Sequence, residues 1–191
     1  MSLSSGAKWV LSLLSIASLA IIVHILVILS IPQNATHRAY EAVALYGPDR
    51  QFNTLPEVRA GSEPLPALDP AMKHAACRFQ LADGPVLFHA SIPAPFWSIG
   101  VFNASGEAIY SLNNRTVGSD VLSMLLISPE QLSILRENPP EDLEDLIVIE
   151  QPIKDGFALL RAFVPSHYKS TEIETALSSA YCGWLDEASE I

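Results

Sequence analysis

The amino-acid sequence predicts a mainly β or α+β protein: an antiparallel sheet or sandwich with two or three peripheral helices, preceded by one N-terminal transmembrane helix. Three observations lead to this prediction. Residues 9–31 are apolar and carry no formal charge. After residue 70, short apolar runs follow one another with connections of turn length, which is typical of antiparallel sheets. The alternation of strands with long helices that marks a doubly wound fold does not occur.

The apolar segment 9–31 is long enough to form a transmembrane helix. As an α-helix it would extend about 35 Å, and the hydrocarbon core of a bilayer is about 30 Å thick. A cleavable signal peptide is the main alternative, because Lys8 precedes the segment. Such a peptide has an apolar region of about 7–15 residues and a small-x-small cleavage site, whereas this segment is longer and has no clean site after it. We therefore predict an uncleaved signal anchor with a short cytoplasmic N-terminus, residues 1–8, and an exported C-terminal body.

The acidic composition limits the classes of partner. The formal net charge is −10, from 21 acidic and 11 basic residues. A body of this charge repels phosphates, which argues against a nucleic-acid partner and against binding to anionic lipid headgroups. The predicted contact with the lipid bilayer is through residues 9–31 alone.

The two cysteines, Cys77 and Cys182, lie near opposite ends of the predicted body. Exported compartments oxidise thiols, so we predict a disulfide between them. Two buried free thiols are the alternative. In the chain-entropy description, a disulfide that closes so long a loop adds roughly 4–5 kcal/mol to stability.

Residues 32–69 are predicted to connect the anchor to the body. Residues 36–46 are rich in helix formers and end at Gly47-Pro48, which predicts a juxtamembrane helix. The segment 48–70 contains five prolines, so we expect it to be extended. This proline-rich arm either holds the body away from the membrane or lies across it.

The body, residues 70–191, contains the predicted strands. Residues 77–81 and 85–90 flank Ala82-Asp83-Gly84, a sequence that favours a hairpin. In residues 96–102, alternation places Trp97, Ile99 and Val101 on one face. The remaining predicted strands are residues 107–112, which return after a turn at 103–106, and residues 121–127, 146–151 and 156–164.

Two helix starts are predicted in the body. Ser128, Pro129 and Gln131 form a capping box that opens a short helix ending near residue 138. Thr171 and Glu174 form a second box, which predicts a final helix through about residue 181.

The sequence contains few candidates for chemistry. Nucleophile elbows, phosphate loops and dinucleotide fingerprints need glycine spacings that do not occur, which favours a protein without enzymatic activity. The five histidines include no pair spaced for a metal site, and we expect neither a metal nor another cofactor. His89, on a predicted strand, is either a ligand or base with a partner from elsewhere in the fold, or a structural histidine.

The trio Asn113-Asn114-Arg115 is the most site-like group of residues. Two amides and a guanidinium at a strand end can hold a carboxylate or a glycan. The alternative, which we favour, is that the asparagines form a turn and the arginine pairs with a local acid.

Three blocks of the sequence, residues 77–86, 96–102 and 110–115, resemble a bacterial family of uncharacterised proteins, catalogued as domain of unknown function number twelve fifty-four. The resemblance covers roughly residues 70–182. A short, membrane-anchored branch of the family also has the strand at residues 156–161 and the terminal cysteine, and longer relatives pair this domain with a second β-rich domain. The resemblance implies a β-rich body and a place in the inner membrane, and it brings no catalytic residue with it.

The leading hypothesis is a single-pass protein of the bacterial inner membrane, with its C-terminal domain in the periplasm. That domain is expected to bind another envelope protein. The alternative is an envelope enzyme, or a module that binds a small ligand or glycan near Arg115.

Overall fold

The computed structural model describes residues 4–59, 61–137 and 146–185, with the backbone alone for residues 31–38. Its backbone contacts divide the chain into two units, Met1–Thr36 and His37–Ile191.

The N-terminal unit is helical. Helix α1 spans Ser5–Val43, and its part Ser5–Ser30 is, by length and composition, apolar enough to cross a membrane. None of that segment is buried within the protein, and Leu19, for example, is 63% exposed. The predicted juxtamembrane helix is therefore the C-terminal part of α1, which ends at Val43.

The strands of the second unit form two sheets. In chain order the strands are β1 (Asn53–Thr54), β2 (Met72–Gln80), β3 (Val86–Ser91), β4 (Trp97–Asn103), β5 (Ala108–Asn113), β6 (Val121–Ile127), β7 (Ile147–Glu150), β8 (Asp155–Phe163) and β9 (Tyr181–Trp184). The first sheet has the antiparallel order β1-β2-β8-β4-β5. The second has the order β7-β6-β3-β9, in which only the β6–β7 pair is parallel.

Three shorter helices accompany the sheets: α2 (Asn114–Val117), α3 (Pro129–Glu137) and α4 (Ser170–Ser178). The predicted capping box opens α3. The Ser128 amide donates to Gln131 Oε1 at 3.0 Å, and the Gln131 amide donates to Ser128 Oγ at 3.2 Å. The predicted class, a mainly β fold with a few helices and an N-terminal apolar helix, is confirmed.

The main core lies between the sheets. Trp97, Ile99 and Val101 are fully buried there, as the alternation in β4 predicts. The disulfide is confirmed: Cys77 on β2 and Cys182 on β9 join the two sheets, with 6.6 Å between their Cα atoms. The bridge therefore crosses the core and fixes one sheet against the other.

A second apolar cluster covers the outer face of the first sheet. Leu55, Val58, Leu65 and Leu68 of the proline-rich arm are buried in it, together with Ala76, Phe157 and Leu159 of the sheet and Val43 of α1. The arm therefore lies across the body. The alternative, a spacer that holds the body away from the membrane, does not fit this burial.

The predicted hairpin at residues 82–84 is wrong. β2 pairs with β8 along its whole length, from Met72 opposite Phe163 to Gln80 opposite Asp155, and with β1 on its other edge. β3 instead pairs with β6 and β9, and the 3-10 turn Leu81–Asp83 carries the chain into the second sheet. Leu81 is fully buried at this crossing.

The second predicted capping box, at Thr171 and Glu174, is also wrong. Helix α4 begins at Ser170, directly after the 3-10 turn His167–Lys169, and its N-cap Lys169 already has helical backbone angles. A side-chain cap requires an extended residue at that place, and none is present. The helix ends at Ser178 because the following residues form β9, which pairs with β3.

Candidate functional site

The two asparagines of the predicted trio hold a turn together. Asn113 is the N-cap of α2, and its Oδ1 accepts hydrogen bonds from the amides of Arg115 and Thr116, both at 3.0 Å. Asn114 donates through Nδ2 to the Pro95 carbonyl at 3.3 Å, and its Oδ1 accepts from the Trp97 amide at 3.4 Å. Gly118, in the left-handed conformation, ends the helix. The amides therefore fasten α2 to the start of β4.

Arg115 is exposed and lies over an aromatic ring. Its guanidinium carbon is 5.7 Å from the centroid of the Phe96 ring, within the range of a cation–π contact. Within the described residues Arg115 forms no ion pair. The asparagines thus form a turn as expected, but Arg115 contacts the Phe96 ring and not a local acid.

His89 lies in the other sheet. It is on β3, opposite Ser123 of β6 and Tyr181 of β9, and its side chain is exposed while Phe88 and Ala90 face the core. Arg115 follows β5 of the first sheet, and no described contact joins the two side chains. The structure thus places Asn113, Asn114 and Arg115 together and His89 elsewhere.

A different set of polar residues forms a line across the outer face of the first sheet. His74 of β2 is directly opposite Arg161 of β8, Arg161 is opposite Ser98 of β4, and Ser98 is opposite Asn113 of β5. Directly opposed residues of antiparallel strands point to the same face. We call His74, Arg161, Ser98 and Asn113 the polar row.

Two nitrogen atoms of the polar row are buried without partners. His74 is 2% exposed, and its Nε2 has no hydrogen bond within the described structure. The same is true of Nε of Arg161, which is half-buried. A third unpartnered atom, Nε1 of Trp97, faces the core between the sheets and is separate from the row. Unsatisfied buried polar groups cost roughly 1–3 kcal/mol each, so two of them on directly opposed residues indicate a place where a hydrogen-bonding ligand belongs.

The charge of the polar row comes from Arg161. Burial, followed by the nearby positive charge of Arg161, lowers the pKa of His74 from 6.5 to about 4, and Asp69 opposes this shift. The imidazole is therefore neutral near pH 7 and acts as a hydrogen-bonding group. The Asp69 carboxylate accepts a hydrogen bond from the Ala71 amide at 2.8 Å.

The register of the polar row suits binding better than acid–base catalysis. Ser98 and His74 are separated by the intervening strand β8, so their backbones are about 9–10 Å apart at the usual strand spacing. A serine nucleophile needs its base within hydrogen-bond reach, about 2.6–3.2 Å. Among the described residues, no cluster of three or more histidine, cysteine, aspartate or glutamate side chains is placed to hold a metal ion.

Sequence reasoning did not single out His74 or Arg161. The signal in the sequence is a polar residue within an apolar strand. Arg161 lies between the apolar runs 157–160 and 162–164, and His74 precedes two alanines and a cysteine. Such an interruption shows neither the burial of the side chain nor which residue lies opposite it.

The fold defines a two-sheet β domain, closed by a disulfide and preceded by a long apolar helix. The model of the family DUF1254, described as a protein of unknown function, matches residues 66–179, and the chain belongs to this family. The resemblance seen in the sequence is thereby confirmed. No curated protein matches the sequence significantly.

Two solved structures are similar to the chain. The VPA0106 protein from Vibrio parahaemolyticus is 12% identical with a TM-score of 0.58, and the match covers 84% of this chain and 39% of that one. An uncharacterised protein from Burkholderia cenocepacia is 12% identical with a TM-score of 0.46, and the match covers 65% of this chain and 34% of that one. The chain thus spans well under half of the length of either protein. At this identity the Vibrio structure supports the fold alone.

Proposed function

We propose that the chain is a bacterial inner-membrane protein with one membrane-spanning helix, whose periplasmic β domain binds another envelope protein. The N-terminal segment Ser5–Ser30 supports the anchor, because it has a mean hydropathy of 2.7 and exposes its apolar side chains. The disulfide supports export, since such bonds form and persist in oxidising compartments.

The observation that carries the binding proposal is helix α3. None of its nine residues is buried, although it contains Leu132, Ile134 and Leu135, and Ile134 is 69% exposed. Its first turn is fixed by the capping box and by Gln131 Nε2, which donates to the Leu81 carbonyl at 2.6 Å. Surface helices usually bury an apolar stripe, so a helix held in place with Ile134 exposed and Leu132 and Leu135 only half-buried suits a partner surface.

Strand β7 adds to this surface in the same part of the chain. It lies at the edge of the second sheet, where its single described neighbour is β6, and Val148 on it is 39% exposed. An edge strand offers backbone groups that pair with a strand of another polypeptide.

Photo-crosslinking in native membranes tests the proposal. A photoreactive residue at position 134 or 148 of the full-length protein is expected to give a discrete adduct with a second protein, identified by mass spectrometry. The same residue at Thr171, which is exposed on α4, is the control and is expected to give none. If positions 134 and 148 give no adduct, or all three positions give the same one, α3 and β7 are not the binding surface.

A matched pair of substitutions strengthens the test. Ile134→Ser is expected to lower recovery of the crosslinked partner at least about tenfold and to leave the fold intact, because exposed positions usually change stability by less than about 0.5 kcal/mol. Tyr168→Ser removes a different apolar side chain, 94% exposed, and should leave recovery unchanged. Equal losses from both variants would indicate non-specific adhesion.

A second candidate function, the binding of a small ligand, is favoured by the two buried nitrogen atoms of the polar row that have no hydrogen-bond partner among the described residues, Nε2 of His74 and Nε of Arg161.

A further inference from the structure

We propose that the polar row is a binding site for a carboxylate, with Arg161 as its charged donor and His74 and Ser98 as flanking hydrogen-bonding groups. This site is separate from the surface of α3 and β7, so butyrate binding tests it without the proposed protein partner, and only the source of the carboxylate depends on that partner.

The position of Arg161 carries the inference. Its guanidinium has no ion pair and no hydrogen bond within the described part of the chain, and its Nε is buried. A half-buried guanidinium without an anion is unfavourable, because it has lost water on one side and gained no partner. The planar fork of an arginine matches the two oxygens of a carboxylate.

The neighbours of Arg161 supply the remaining hydrogen bonds. A neutral imidazole donates one hydrogen bond and accepts one, and the Ser98 hydroxyl does both. His74 and Ser98 are 2% and 7% exposed, on the strands either side of β8, so a ligand on Arg161 lies between them.

The polar row has an apolar, buried side and a side that is open to solvent. Ala76 and Leu159, the next residues along the same face of β2 and β8, are buried under the arm, which makes that side of the row apolar. Arg161 itself is partly exposed, so the charged residue of the row is reachable from solvent. Charge-assisted hydrogen bonds strengthen when one side of the site excludes water.

The charge of the site selects the class of anion. One guanidinium beside a neutral histidine provides a single positive charge, in a chain whose formal net charge is −10. That balance matches a singly charged carboxylate better than a doubly charged phosphate. The carboxylate belongs either to a free organic acid or to an acidic side chain of a partner protein.

Nuclear magnetic resonance of the full-length protein in detergent micelles tests the site. The probe is butyrate, and the signal is the Nε–H resonance of Arg161, assigned by its loss in Arg161→Met. Butyrate is expected to shift this resonance saturably, while butyramide, its uncharged counterpart, is not. No saturable shift with butyrate, equal shifts with both compounds, or tighter binding of inorganic phosphate would each overturn the carboxylate assignment.

Substitutions locate the site independently of the Arg161 signal. Butyrate binding, followed by the line broadening of its own methyl resonance, is expected to weaken at least about tenfold in Arg161→Met and several-fold in Ser98→Ala. Arg115→Met removes an exposed arginine outside the row and is expected to leave binding unchanged. Loss of binding in Arg115→Met equal to that in Arg161→Met would show that butyrate reports overall charge and not this site.

The two sources of the carboxylate are separated by partner capture. If the ligand is a free organic acid, Arg161→Met captures the crosslinked partner as the unmodified protein does. If the carboxylate belongs to the partner, capture falls at least about tenfold.

Discussion

Two arginines on the outer face of the first sheet have opposite surroundings. Arg78, near the end of β2, forms a two-pronged ion pair with Asp49: Nε to Oδ1 at 2.7 Å and Nη2 to Oδ2 at 2.9 Å. Its guanidinium also lies 5.1 Å from the ring centroid of Tyr40, near the end of α1. Arg161, on the neighbouring strand β8, has no such partner within the described residues.

Arg78 has a structural role, whereas Arg161, within the described residues, is free to bind a ligand. Arg78 fastens the end of α1 and the loop at Asp49 to the sheet, and this pairing raises its pKa through the hydrogen bond to Asp49. Arg161 fastens nothing comparable among the residues that the structure describes. A charged residue in a strand therefore has a structural role when a carboxylate is supplied by the chain, and is a candidate for binding when none is.

Removing the disulfide, which joins the sheet that carries both arginines to the second sheet, has the largest expected effect on stability. The bridge spans 105 residues, and a loop of about that length contributes roughly 4–5 kcal/mol in the chain-entropy description. We expect the variant Cys77→Ala/Cys182→Ala to lose about that much free energy of unfolding in guanidinium denaturation of the full-length protein in micelles. Dithiothreitol should bring the unmodified protein to the stability of the variant and leave the variant unchanged; a reductant effect on the variant would contradict this account.

Low pH affects the surroundings of Arg161, because protonation of His74 places a second positive charge beside it. The pKa of His74 is about 4 in the folded protein and 6.5 in the unfolded chain, so the unfolded chain binds more protons between these values. Stability is therefore complete above about pH 6.5 and falls as the pH drops towards 4, by at most about 3 kcal/mol from this group. Among the described residues, the negative charge of Asp69 raises the pKa of His74 and so reduces the effect.

Unfolding measured at a series of pH values detects this contribution. His74→Leu is expected to flatten the dependence between pH 6.5 and 4, whereas His89→Leu, at an exposed histidine of the other sheet, should keep it. If His74→Leu and the unmodified protein lose stability in parallel, the burial of a neutral His74 is not the cause.

Replacing Arg78 measures how much its ion pair with Asp49 contributes to stability. Arg78→Met leaves Asp49 without its partner at a site where the two side chains are 25% and 32% exposed. Partial exposure moderates the effect, and we expect a loss of about 1–3 kcal/mol of unfolding free energy. A double-mutant cycle with Asp49→Asn isolates the pair, and a coupling energy near zero would show that the contact contributes nothing.

The sequence predicts the local elements of the fold but not the strand pairing that gives the two arginines different surroundings. Alternation around Trp97 and the capping box at Ser128 are local signals, and both predictions are correct because burial on one face and a helix cap depend on nearby residues. The hairpin at residues 82–84 is wrong because the partner of β2 comes from residues 155–163, far along the chain. For the same reason Arg161 could not be recognised: its lack of a carboxylate depends on which strands lie beside it.

Replacing Arg161 is the smallest expected effect on stability and the most informative. Arg161→Met exchanges an unpartnered, half-buried guanidinium for an apolar side chain of similar length, so no ion pair is broken and one buried donor without a partner is removed. Such replacements are usually neutral or stabilising, and we expect a change between zero and about +1 kcal/mol in the free energy of unfolding. Arg115→Met, at an exposed position, is the control for the loss of one positive charge and should stay within about 0.5 kcal/mol. A loss of 2 kcal/mol or more in Arg161→Met, similar to that expected at Arg78 (about 1–3 kcal/mol), would mean that Arg161 has a structural partner after all, and the distinction between the two arginines would fail.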